Sequence, residues 1–155
     1  MGILDRFRRN RPMSESELDE RSQVDGIKYR DLQVVGQLTQ MGADLKAPRH
    51  TIFYLYFPAQ ATATAAADAL RAAGMAVTVG PMPEDYLAEH PDAPNPWRVT
   101  AERSDKALVP DFLRDMIDHC AAVAEEFGGE YDGWECGLND AEQAMIKAQQ
   151  EQRRQ

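Results

Sequence analysis

Residues 128–138, GGEYDGWECGL, hold the decision about the fold. The pair Asp132-Gly133 is a strong hairpin-turn signal, so the stretch reads either as a tight turn or as one continuous strand. The segments upstream choose between the two. "HTIFYLYFP", from His50 to Pro58, is a β-branched and aromatic run with the composition of a strand. Its alternation places Phe53, Leu55 and Phe57 on one face and Ile52, Tyr54 and Tyr56 on the other. "AQATATAAADALRAAG" reads as a helix with Ala63, Ala66, Ala67 and Leu70 on one stripe, small enough to let it sit close to a sheet. Gly74 supplies its stop. "MAVTVG" and "WRVTAERS" follow as two further strands. From about Pro110 to Phe127, Leu113, Met116, Ile117, Cys120, Ala124 and Phe127 recur at helical spacing. The Gly128-Gly129 pair ends that helix.

The order so far is β-α-β-β-α, which needs one more strand, and no other segment offers it. GGEYDGWECGL is therefore assigned as the closing strand. The chain is expected to be α+β: a ferredoxin-like sandwich, β-α-β-β-α-β, with a four-stranded antiparallel sheet and two helices on one face. An extra N-terminal helix precedes it, with Leu32, Val35 and Leu38 at helical spacing and a stop at Gly42. The apolar stripe of that helix needs cover, and the open sheet face is the expected place for it. Strand alternation puts Tyr131, Gly133 and Glu135 on one face and Asp132, Trp134, Cys136 and Leu138 on the other. Gly133 would mark a bulge or a close backbone approach. Trp134 and Cys136 are then mainly packing residues, and Tyr131, Asp132 and Glu135 are the surface candidates.

At 155 residues the chain suits one domain with a real core. The expected organisation is a flexible segment over 1–24, basic and then acidic, a domain over 25–138, and a polar tail over 139–155 that is exposed or frayed. Arg6, Arg8, Arg9 and Arg11 against Asp5 give the first twelve residues a net +3, so a total of −9 leaves −12 for the rest. A body that acidic repels phosphate backbones and attracts basic protein surfaces. No apolar run approaches the roughly 20 residues of a membrane helix. The opening residues, with Ile3, Leu4 and Phe7 in one short amphipathic turn, read as a solvated basic segment rather than a secretory signal. A cytoplasmic protein is expected.

Chemistry finds little support in the spacing. His50, His90 and His119 are far apart, and Cys120 and Cys136 form no metal-binding pair. Cys120 follows His119 directly, but neighbours on a helix do not face each other. The connection from Pro81 to Pro96, with five of the nine prolines, is too long for a simple hairpin and is either functional or decorative.

"GGEYDGWECGL" after an apolar helix, the aromatic strand "TIFYLYF" and the passage "ALRAAGMAVTV" together resemble the ribonuclease E inhibitor family, also called regulator of ribonuclease activity B. The resemblance covers about residues 25–138, and its specific part is the Tyr-Asp-Gly-Trp core. It implies a ferredoxin-like sandwich and a non-catalytic regulator, not an enzyme, that takes no cofactor or metal. It implies a protein partner, ribonuclease E, whose cleavage of RNA it restrains. Tyr131, Asp132, Gly133, Trp134 and Glu135 match the family motif and are the candidate binding residues, with Tyr54 and Tyr56 beside them. The best-known members end in a strongly acidic tail, whereas this chain ends "KAQQEQRRQ" and opens with "FRRNRP". Two other readings stay open: a small-ligand-binding or catalytic domain using the Pro81–Pro96 loop and the YDGWE edge, and an RNA-binding module stacking bases on Tyr54 and Tyr56. The charge of the body argues against direct nucleic-acid binding, and the sequence leaves the oligomeric state open.

Overall fold

A computed structural model of the chain describes residues 12–154. The basic opening and its amphipathic turn, residues 1–11, lie outside the described residues. The elements in order are α1 (Glu15–Leu18), α2 (Tyr29–Gln40), β1 (Pro48–Phe57), α3 (Gln60–Ala72), β2 (Ala76–Pro81), α4 (Glu84–Glu89), β3 (Trp97–Ala107), α5 (Pro110–Glu126), β4 (Glu130–Cys136) and α6 (Asp140–Arg153). The strands form one four-stranded sheet in the order β2-β3-β1-β4, with every neighbouring pair antiparallel. This is the α+β sandwich expected from the sequence, and GGEYDGWECGL is its closing strand.

The sandwich is organised around β1, which lies between β3 and β4. Thr51, Phe53, Leu55 and Phe57 alternate onto the helix-bearing face and are fully buried. Against them stand Val99 and Ala101 of β3 and Trp134 of β4, while α3 contributes Ala63, Ala66, Ala67 and Leu70, and α5 contributes Leu113, Ile117, Cys120, Val123 and Ala124. The small stripe of α3 explains the geometry: methyl side chains let the helix axis approach the sheet without voids. Burial pushes the Cys120 thiol up to about 12, as suits a small hydrophobe of the core.

Helix α5 stops abruptly because β4 must begin directly beneath β1. The backbone at Gly129 passes so close to β1 that a Cβ placed there would lie 2.3 Å from the Tyr56 carbonyl oxygen and 2.4 Å from the Phe57 ring. Only a hydrogen atom fits at that position.

Helix α2 goes to a different place from the one expected. It joins the helix-bearing layer beside β4 and α5: Leu38 is buried in the main core, and Leu32, Val34 and Val35 pack against the same core. The Trp134 indole N–H donates to Asp31 Oδ1 at 2.9 Å, pinning α2 over the edge strand. The physical reason lies in β4, which presents two aromatic side chains to the helix side at the sheet edge, where α3 and α5 alone leave a flank to be covered. None of α2, α3 and α5 covers the open face of the sheet.

The polar segment before α2 carries more order than its composition suggested. Ser14 caps α1 by accepting from the Glu17 N–H. Arg30 of α2 donates to Glu15 at 2.6 Å and to Asp19 at 3.3 Å. Arg21 reaches Asp118 of α5 at 2.8 Å, and Ile27 is buried beneath the turn that follows.

The C-terminal segment, expected to be exposed or frayed, is held at its first turn. Asn139 and Glu142 form a reciprocal capping box, with the Glu142 N–H donating to Asn139 Oδ1 at 2.9 Å and the Asn139 N–H donating to Glu142 Oε1 at 3.0 Å. Glu142 Oε2 also accepts from the fully buried Arg49 guanidinium at 2.8 Å and from the Asp44 N–H. Arg49 in turn donates to the carbonyls of Asp44 at 2.7 Å and Gly137 at 3.1 Å. One ion pair thus ties α6 to the start of β1 and to the loop after α2. The remainder of α6 is largely exposed, as its polar sequence implies.

Two outcomes follow from these contacts. Gly129→Ala must push the β1 backbone and should cost about 1–3 kcal/mol in urea unfolding, whereas an alanine at the exposed Gly36, with nothing near its Cβ, should be neutral or stabilising. Arg49 and two backbone N–H groups hold the Glu142 carboxyl down at about 2. Because the folded value is depressed, the stability it contributes is present above the ordinary value of 4.5 and is lost as pH falls toward about 2. Glu142→Ala, which strands a buried guanidinium, should cost on the order of 3 kcal/mol at neutral pH, and the gap from the parent protein should close on acidification toward pH 2, read by circular dichroism.

Candidate functional site

The candidate residues lie on β1 and β4, and one irregularity between these strands decides which way they face. Glu130 pairs with Tyr56 and Tyr131 with Leu55, but Gly133 pairs with Tyr54, so Asp132 is an extra residue with no partner. This is a β-bulge, the feature that the lone glycine suggested. Gly133 adopts φ +131°, a conformation that suits a residue without a side chain.

The bulge overturns the simple alternation at two positions, Tyr131 and Asp132, the latter expected on the face of Trp134 but found on the open-face side. Tyr131 was expected at the surface beside Gly133 and Glu135. It lies opposite Leu55 on the helix side, half-buried against the core, with its hydroxyl shut away from solvent and without a hydrogen-bond partner among the described residues. Desolvation, with the charge of Asp31 second, pushes its ionisation well above the ordinary range. With two residues of β4 opposing one of β1, Tyr131 and Trp134 both face inward although three positions apart. Trp134 opposite Phe53 and Cys136 opposite Thr51 pack on the helix side as expected.

The open face is composed of side chains from the other positions. Ile52, Tyr54 and Tyr56 of β1 are half-buried there. Tyr54 is flanked by Thr100 of β3 and Gly133 of β4, and Tyr56 by Arg98 and Glu130. The Tyr54 hydroxyl donates to Glu135 Oε1 at 2.5 Å, spanning from β1 to β4. This bond to a carboxylate, followed by desolvation, raises Tyr54 to about 12. Nearby, Glu102 of β3 is 3.0 Å from the His50 ring.

The Pro81–Pro96 connection, left undecided between function and decoration, forms a wall. Its N-terminal part is the short helix α4, and the Met82 N–H donates to the Pro96 carbonyl at 2.8 Å, closing the base of the loop. Between this wall and the sheet lies a cleft of about 290 Å³, lined chiefly by Tyr56, Met82, Tyr86, Pro94, Glu130 and Asp132. Tyr86 packs against His90 in a tilted contact, 4.5 Å between ring centres and 49° between planes, which steadies the wall. Desolvation, then the Asp132 charge, raises Tyr56, with Arg98 opposing. Sequence reasoning missed Tyr86, Met82 and Glu130. The proline-rich length of the connection was the available signal, but nothing local indicated which way it would fold.

The structure thus brings Tyr56, Asp132 and Glu130 to the cleft, sets Tyr54 and Glu135 beside it as a bonded pair, and turns Tyr131 and Trp134 away. Among the described residues, no group of three His, Cys, Asp or Glu side chains is placed to hold a metal ion.

The sequence profile of the family described as regulator of ribonuclease activity B matches residues 29–136, well over half of the chain. The chain belongs to this family. The matched span begins at the first residue of α2 and ends at the last residue of β4. Family membership therefore covers the whole sheet, the helix that covers its edge, and the cleft. Regulator of ribonuclease activity B is a regulatory family rather than a catalytic one. No curated protein sequence matches the chain. Among the described residues, no helix is long and apolar enough to cross a membrane.

Replacing Glu135 with Gln should leave Tyr54 bonded to a neutral acceptor and return its ionisation toward the ordinary value of 10 from about 12. A titration following the Tyr54 ring carbon by NMR measures this directly. Tyr131 should show no ionisation before the protein unfolds in alkali.

Proposed function

We propose that this protein is a non-catalytic, cytoplasmic regulator that binds the endonuclease ribonuclease E and restrains its cleavage of RNA. The observation that carries the proposal is the family match, which spans every strand of the sheet. Physical chemistry supports it from two sides. First, the cleft lacks the parts of an acyl- or phosphoryl-transfer site: the residues lining it include no Ser, Cys, His, Lys or Arg. Second, the chain carries a net −9. Such a surface attracts the basic segments with which an RNA-processing enzyme handles its substrate, and favours encounter at low ionic strength.

The open face argues against RNA as the direct ligand. Tyr54 and Tyr56 could stack bases, but Glu102, Glu130, Asp132 and Glu135 surround them. Carboxylates so placed repel the phosphates that stacked bases would bring.

The protein, used as bait at low salt, should retain ribonuclease E from the native host, and should slow cleavage of a model RNA by the purified endonuclease at micromolar concentration. The slowing should weaken as ionic strength rises past about 0.15 M, where screening shortens electrostatic reach to about 8 Å. Unaltered cleavage at low salt, with no retained endonuclease, would refute the ribonuclease E assignment.

A further inference from the structure

We propose that the cleft between the open sheet face and the 82–96 connection is a docking site for a basic side chain, above all an arginine guanidinium, presented by an extended segment of a protein partner. The cleft's size and lining both point to such an occupant. At about 290 Å³ it falls just below the usual range of ligand cavities, roughly 300–1,000 Å³, a size suited to a single side chain. Its walls are the rings of Tyr56 and Tyr86 with Met82 and Pro94, and its charged groups are Glu130 and Asp132. Aromatic rings and two carboxylates lining one cleft match a planar cation, which can stack on a ring and donate to carboxylates.

The state of those carboxylates separates them from others around the sheet. Glu135 is bonded to Tyr54, Glu102 to His50, Asp31 to Trp134 and Glu142 to Arg49. No hydrogen bond or ion pair to a described residue engages the carboxylate of Glu130 or of Asp132. The bulge is what puts Asp132 there: in a regular ladder it would have paired with β1, and as the extra residue it turns its side chain to the cleft. Arg98, across from Tyr56 on the same face, offsets one of the two charges and leaves the site net negative. The chain's net charge of −9 steers a basic segment toward the molecule as a whole.

That the natural partner is a ribonuclease rests on the function proposed above, whereas the preference for a guanidinium rests on the cleft alone. The test is a titration of the full-length, isotopically labelled protein with acetyl-Gly-Arg-Gly-Arg-Gly-amide at low salt, followed by backbone amide NMR. Saturating shifts are expected at Met82, Tyr86, Asn95 and Asp132, and none with the same peptide carrying citrulline for arginine. The double variant Glu130→Gln, Asp132→Asn should bind at least about tenfold more weakly, and Tyr86→Ala about threefold. A charge-matched control on the helices, Glu126→Gln with Glu151→Gln, should stay within about twofold. All these side chains are exposed, and the amide spectrum of each variant reports its folding.

The proposal is overturned by shifts spread over the helices, by equal binding of the citrulline peptide, or by equal weakening in the control. No ribonuclease enters the titration. An occupied cleft without ribonuclease inhibition removes the ribonuclease assignment alone, and inhibition with an unresponsive cleft removes the docking site alone.

Discussion

The structure depends on strand β1 being buried along one face while neighbours pair with both of its edges. Thr51, Phe53, Leu55 and Phe57 need complete cover on the helix side, and α3 with its methyl stripe can lie close enough to give it. The same demand brings β4 in under Phe57, which is possible only because residue 129 has no side chain. Burial of three large apolar side chains here contributes on the order of several kcal/mol, and every other element is placed relative to this strand. Helix α2 covers the flank that β4 leaves open, and α6 is anchored at the beginning of β1 through Arg49.

Charge is used in two ways. One set of carboxylates is structural: Glu142 neutralises a buried guanidinium, and Asp31 accepts from an indole that would otherwise bury its N–H unpaired. Another set gathers on the open sheet face around Tyr54 and Tyr56, which α2, α3 and α5 leave uncovered. At Arg49 both terminal guanidinium nitrogens are bonded, to the carboxylate and to two backbone carbonyls, while Nε has no partner among the described residues. The open-face set has no such internal purpose at Glu130 and Asp132, and this makes it the part of the molecule suited to meet a partner.

The architecture was legible in the sequence because each of its signals is local. Alternation in "TIFYLYF" separated the buried Phe53, Leu55 and Phe57 from the open-face Tyr54 and Tyr56 correctly. Helical spacing put Ala63, Ala66, Ala67 and Leu70, and likewise Leu113, Ile117 and Cys120, on the stripes that are in fact buried. The Tyr-Asp-Gly-Trp core indicated the family, and the strand count made the stretch a strand rather than a turn. Tyr131 was misplaced because a period of two holds only in an unbroken ladder. One extra residue inverts the assignments on one side of it, here Tyr131 and Asp132, and a lone glycine signals a bulge without saying which neighbour becomes the extra one.

The order of the four strands with α2, α3 and α5, the faces of β1, the small-residue stripe of α3 and the family were therefore determined by the sequence alone, since periodicity and composition act over a few residues at a time. The side of the sheet to which α2 goes, the partner of Glu142 and the direction of the 82–96 connection were decided only by tertiary structure. Each joins residues far apart in the chain: Asp31 with Trp134, Arg49 with Glu142, Tyr56 with Tyr86. Stretch 128–138 shows both limits at once. Its composition made it the closing strand, but its pairing with β1 aimed Asp132 at the cleft and Tyr131 into the core.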